Sequence, residues 1–148
     1  MRFSTRPTTF EDQSAIDVLL RLSKLAQMDA TSQFGDHYSV ASSDDGTLVG
    51  VAGIEVYGTV GLLRSVAVDE HWRSKGIGRQ LIAERLEWAA AKGITDLFLL
   101  TTDAAEYWTR YGFERINRSD APPAVRQTSQ WSGGCSATAI PMCLKLDL

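Results

Sequence analysis

Arg73-Ser74-Lys75-Gly76-Ile77-Gly78-Arg79 lies between a strand-like run at 62–68 and a long amphipathic pattern at 77–92. Glycines at a strand-to-helix turn let the backbone come close to a ligand. The unpaired N–H groups and positive dipole end of the following helix suit a phosphate or pyrophosphate. Three basic side chains fall within the same seven residues. The stretch therefore reads as a phosphate cradle.

The flanking pattern supplies a frame for it. Ile77, Leu81, Ile82, Leu86, Ala89 and Ala90 recur at helical spacing, and Gly93 is placed to end that helix. Leu97-Phe98-Leu99-Leu100 is apolar without alternation, as in a strand covered on both faces. Strand, helix and the next strand at 96–101 form a unit whose two strands should be parallel. Upstream, strands are expected at 2–7, 37–42, 48–57 and 60–68. Turn residues at Asp44-Asp45-Gly46 and Gly58-Thr59 fold the last three into an antiparallel meander. A loop centred on Gly58-Thr59 pairs residues whose numbers sum to 117, so Glu55 faces Leu62 and Gly53 faces Arg64. Glu55 and Arg64 then become diagonal neighbours on one face. Thr9 with Asp12 marks a first helix that carries Ile16, Leu19 and Leu20. Residues 29–36 read as a loop or a short helix. Downstream, short helices are expected at 104–111 and 122–128, and strands at 113–116 and 137–146. Pro141 implies a bulge or an edge position in the last strand. The whole is an α/β chain with a mixed sheet, in one domain over 1–148.

Composition narrows the partners. A net charge of −3 over 148 residues argues against nucleic acid. No apolar run approaches the ~20 residues that span a bilayer. The N-terminal residues lack the apolar segment of an export signal, so the cytoplasm is the expected compartment. The two cysteines, Cys135 and Cys143, have no histidine nearby, and neither a metal site nor a disulfide is expected. A homodimer is left open.

Two familiar phosphate motifs fail. A dinucleotide fingerprint needs a third glycine at position 81, which is Leu, and no Gly-Lys-Ser/Thr loop occurs. What remains, Arg73-x-x-Gly76-x-Gly78 after Val66-Ala67-Val68-Asp69, resembles the GNAT acetyltransferase superfamily. Tyr111-Gly112-Phe113 resembles that family's motif near its fourth helix, and the element order agrees along nearly the whole chain. The resemblance implies acetyl-CoA as cofactor. Arg73, Lys75, Gly76, Ile77, Gly78 and Arg79 would hold its pyrophosphate. Val66 and Val68 would pair with the pantetheine arm where two central strands splay apart, the Val66 N–H polarising the thioester carbonyl. Thr101 or Thr102 stands where the family often has an Asn that receives that arm.

Acetyl transfer to an amine needs a neutral nucleophile, placement, and a proton for the departing thiolate. The tyrosine that many relatives use as acid is Trp108 here; Tyr107 and Tyr111 flank it, and the acid stays unassigned. Glu55, a lone carboxylate in an apolar strand, is the candidate base, with a plain ion pair to Arg64 as the alternative. Arg64 and Arg126 are candidates for gripping a substrate carboxylate. The stretch at 99–102 with Tyr107-Trp108 is similar to N-acetylglutamate synthases and to arsenic-resistance acetyltransferases. Pro123-Ala124-Val125-Arg126 and the small-residue run to Cys135-Ser136-Ala137 are more similar to the second group. Cys135 reads as a packing residue, with arsenical contact as the sharper alternative. The expected activity is N-acetylation of a small amino acid or analogue by direct attack in a ternary complex. A catalytically silent acyl-CoA sensor is the rival, and a protein amine as acceptor is the third reading.

Overall fold

The computed structural model describes residues 2–28, 33–134 and 138–146. Seven strands form one mixed sheet: β1 (Phe3–Pro7), β2 (Tyr38–Ser43), β3 (Leu48–Tyr57), β4 (Val60–Val68), β5 (Asp96–Thr101), β6 (Glu114–Arg115) and β7 (Ile140–Lys145). Their spatial order is β1-β2-β3-β4-β5-β7-β6. The meander and the parallel β4–β5 pair agree with the expectation, as does the register, with Gly53 opposite Arg64 and Glu55 opposite Leu62.

Among the described residues four α-helices cover the sheet: α1 (Gln13–Leu22), α2 (Ile77–Ala91), α3 (Ala105–Thr109) and α4 (Pro123–Arg126). Strand alternation sorts the core into two layers. Ile54, Leu63, Leu97 and Leu99 point to one face and pack on Ile82 and Ala89 of α2 and on Trp108 of α3. Tyr38, Val40, Val51 and Ala67 point to the other face, against Ile16, Leu19 and Leu20 of α1. On that second face Leu62 and Phe98 pack against Val125 of α4 and Trp131. Glu55 and Arg64 alternate onto the α1/α4 face.

Two departures from regular pairing shape the centre. Val51 faces Ala67 and Gly53 faces Arg64, so Ser65 and Val66 together oppose the single Ala52. This is a β-bulge, and Ser65 takes a left-handed φ of 60° to make it. The second departure is in the pairing of β4 with β5. The parallel pairing covers only Val60–Leu62 against Asp96–Phe98, after which the strands part. The edge of β4 from Leu63 to Val68 faces no strand among the described residues.

The C-terminal part differs most from expectation. β7 inserts between β5 and β6, so Pro141 is not on an edge strand. It is tolerated because β6 spans two residues and pairs only with Cys143 and Met142. Ile116 N–H donates to the Pro141 carbonyl, which puts the proline nitrogen on the β6 side, away from the β5 ladder. The 122–128 helix shortens to α4, and the expected strand at 113–116 to β6.

Candidate active site

A cleft of about 850 Å³ runs through the sheet where β4 and β5 part. At one end lies the turn from β4 into α2. Ser74 (φ 65°) and Gly76 (φ 87°) are both left-handed, a combination that lets the chain reverse into the helix. The first bond of α2 runs from Gln80 N–H to the Gly76 carbonyl, so the N–H groups of Ile77, Gly78 and Arg79 are left outward-facing. A Cβ on Gly78 would meet only Val68 Cγ2 at 3.6 Å and the Tyr107 hydroxyl at 3.8 Å. The glycine is therefore not demanded by packing. It keeps the space over the helix start open, as a close-approaching phosphate requires.

The basic residues divide. Arg73 Nε donates to the Val68 carbonyl at 3.2 Å, tying the loop back to β4, and Arg73 and Arg79 both border the cleft. Lys75 is exposed and is not on the cleft wall. Val66 and Val68 lie along the open edge of β4, on the cleft. Thr101, at the end of β5, is buried, and its Oγ1 accepts the Ala104 N–H at 3.1 Å. The hydroxyl is left with its hydrogen to donate into the cleft.

Trp108 is 8% exposed and packs edge-on against Phe113, the role its size dictates. Tyr107 and Tyr111 both reach the cleft, with their hydroxyls 3.1 Å apart. Two hydroxyls share one hydrogen bond, so the pair retains one proton to donate. Burial, reinforced by the Tyr111 hydroxyl, pushes the Tyr107 phenol up to about 12.

At the other end, on the α1/α4 face, the wall is made by Ser23–Ala26 after α1, by Arg64 and Ser65, and by Gln130. Arg64 Nη1 lies 3.5 Å from Glu55 Oε1, and both side chains are almost fully buried. Arg64 Nε donates to Ser65 Oγ (3.1 Å) and Nη2 to the Gln27 carbonyl (3.1 Å). Glu55 also accepts the Tyr38 hydroxyl (2.9 Å) and the Gln33 N–H (3.0 Å). Gly53 makes this possible: any Cβ there would lie 2.2 Å from the Tyr38 ring that crosses it to reach Glu55. Of the buried pair only Arg64 borders the cleft. Glu55, expected as the base, is instead held behind the arginine. Arg126 ends α4 exposed to solvent and outside the cleft, because the face of α4 that packs inward presents Val125. Cys135 falls outside the described residues.

Residues 7–113 match the model of the acetyltransferase (GNAT) family. The chain belongs to that family. It is 33% identical over 82 residues to an uncharacterised N-acetyltransferase of Chlorobaculum tepidum, covering 54% of this chain and 52% of that one. An amino-acid acetyltransferase of Neisseria meningitidis is 28% identical over 91 residues, or 60% of this chain and 21% of the relative. The chain thus spans about half the length of the first relative and a fifth of the second. The fold matches that of N-acetylglutamate synthase from Neisseria gonorrhoeae, solved with coenzyme A and N-acetyl-glutamate. The TM-score is 0.81 at 21% identity, over 100% of this chain and 36% of that one.

The residues present fit an acyl-CoA. The open glycine turn and three outward amides suit its pyrophosphate, and the unpaired edge of β4 suits its amide-bearing arm. The cleft continues from there to Arg64.

Proposed function

We propose that this chain is an acetyl-CoA-dependent N-acetyltransferase whose acceptor is a small amine carrying a carboxylate, an amino acid or a close analogue. The observation that carries the reading is the single cleft joining the Gly76–Gly78 turn to the buried Arg64. It gives one path with a phosphate cradle at one end and a cation at the other. Acetyl-CoA, when bound, supplies the activated acetyl group. Ile77, Gly78 and Arg79 N–H groups, with Arg73 and Arg79, would hold its phosphates; Val66, Val68 and Thr101 would hold its arm and orient the acyl carbon.

On the acceptor side Arg64 would take the carboxylate. Its planar fork is pre-set by Glu55, Ser65 and the Gln27 carbonyl, so little freedom is lost on binding. Lys24 and Arg64 are the charged side chains bordering this end, and no carboxylate borders it among the described residues. With no carboxylate on the wall to hold it as an ammonium, the bound amine reaches its neutral form by losing a proton to water, without a dedicated base. Glu55 then acts through Arg64. In direct attack without an acyl-enzyme, the nitrogen would shed one proton as the C–N bond forms and the C–S bond breaks; the Tyr107–Tyr111 pair would give its spare proton to the departing thiolate and be refilled by the nitrogen's proton through water.

The test is release of CoA thiol from acetyl-CoA with a panel of amino acids and the phosphinic and arsinic analogues of glutamate. Turnover should appear with at least one carboxylate-bearing amine and fall sharply when that carboxylate is amidated. Saturable acetyl-CoA binding with no turnover on any amine would replace this reading with an acyl-CoA sensor.

A further inference from the structure

Gln130 opens a helical turn at Gln130–Gly134 and is 7% exposed, yet its side chain has no hydrogen-bond partner among the described residues. It borders the cleft. Its position is fixed by the next residue: Trp131 packs edge-on against Phe98, 6.3 Å between ring centroids, in the cluster that holds Leu62. Leu62 and Phe98 are the last paired residues of β4 and β5. Gln130 therefore meets the cleft at the vertex of the wedge, on the face that carries Arg64. Its carboxamide faces the cleft, where water serves its donors and acceptor, so a ligand that displaces that water must supply polar partners in return or leave the amide unpaired at a cost.

We infer that Gln130 is a specificity-determining residue, which reads a polar side chain on the acceptor while Arg64 takes its carboxylate. This rests on the reading of the cleft given above. The carboxamide offers N–H donors and a carbonyl acceptor, so it matches a side-chain hydroxyl, carboxamide or oxyacid. An aliphatic side chain of the same shape would leave it desolvated and unpaired. Sites built this way reject the analogue lacking the polar group far better than apolar pockets reject a spare methylene.

Two near-isosteric pairs test this, L-threonine against L-valine and L-glutamine against L-norleucine. Binding to the CoA-loaded chain is measured by calorimetry, and turnover by thiol release. The wild type should prefer the polar member of each pair by on the order of 10–100-fold. Gln130→Met, close in volume and apolar, should bring both ratios to within about threefold of unity and leave CoA affinity unchanged. Should that variant fail to fold, Gln130→Glu keeps the size and should weaken L-glutamate relative to L-glutamine by on the order of tenfold. Absence of preference in the wild type, or ratios unmoved in the variants, overturns the inference. Discrimination in binding with no turnover would leave it standing and overturn the enzyme reading; turnover without discrimination would do the reverse.

Discussion

Arg64 and Glu55 form a buried pair, Nη1 to Oε1 3.5 Å, in which the arginine borders the cleft and the glutamate stands behind it with Tyr38 and Gln33. Removing one partner of such a pair leaves the other charge buried and uncompensated, at about 3–5 kcal/mol. Glu55→Gln should therefore lower Tm by roughly 6–20 °C. Rate should fall too, because the guanidinium loses its fixed orientation. The distinguishing readout is the pH profile of kcat/KM. A positioning role keeps the acidic limb where it was. A limb that disappears in Glu55→Gln would restore Glu55 as the base.

Gly78 separates ligand binding from folding more cleanly. A side chain there meets no backbone closer than ordinary contact, and an acid in the first turn of α2 suits the helix dipole. Gly78→Asp should leave Tm unchanged or slightly raised, while its carboxylate repels the phosphates of the cofactor. Calorimetric titration with CoA should show affinity reduced by on the order of 100-fold. Intact affinity would mean that this turn is not the phosphate cradle.

Tyr107 carries a pH signature. Its phenol is raised to about 12 in the folded chain against 10.0 ordinarily, with burial as the leading cause. The folded state keeps this proton while the unfolded state loses it, so stability is full below pH 10 and declines as pH climbs from 10 towards 12. Thermal melts across that window should show a shallower decline in Tyr107→Phe. Turnover should show no basic limb from this group below about pH 11. Because either hydroxyl can present the spare proton, Tyr107→Phe and Tyr111→Phe should each lower kcat several-fold, and the double variant by much more than either.

The residues that sequence placed correctly owe their positions to local rules. Gly58-Thr59 fixed the register that sets Glu55 against Leu62, and the run from Arg73 to Arg79 fixed the helix start. What escaped was set by partners distant in the chain. Nothing near Glu55 signals that Tyr38 crosses Gly53 to bind it, or that Arg64 rather than Glu55 borders the cleft. Arg126 looked suited to an acceptor because its neighbours matched a relative. Which side of a four-residue helix faces inward depends on Val125 meeting Leu62 and Phe98, a tertiary contact. Gln130 had no signal at all, since a glutamine among polar residues reads as loop until Trp131 is seen to anchor it.

Arg64 and Arg126 are both candidates in sequence for a carboxylate, and the fold separates them: one is 6% exposed in the cleft wall, the other solvent-exposed on α4. Arg64→Lys keeps the charge beside Glu55 but loses the planar fork that grips a carboxylate through two parallel bonds. Its loss should fall on KM for the acceptor, raised on the order of 30-fold, with the KM for acetyl-CoA unchanged. Arg126→Ala should leave both values within about twofold, as for most exposed substitutions. Steady-state kinetics varying each substrate in turn decides between them. A larger acceptor KM in Arg126→Ala than in Arg64→Lys would move the carboxylate site to the end of α4.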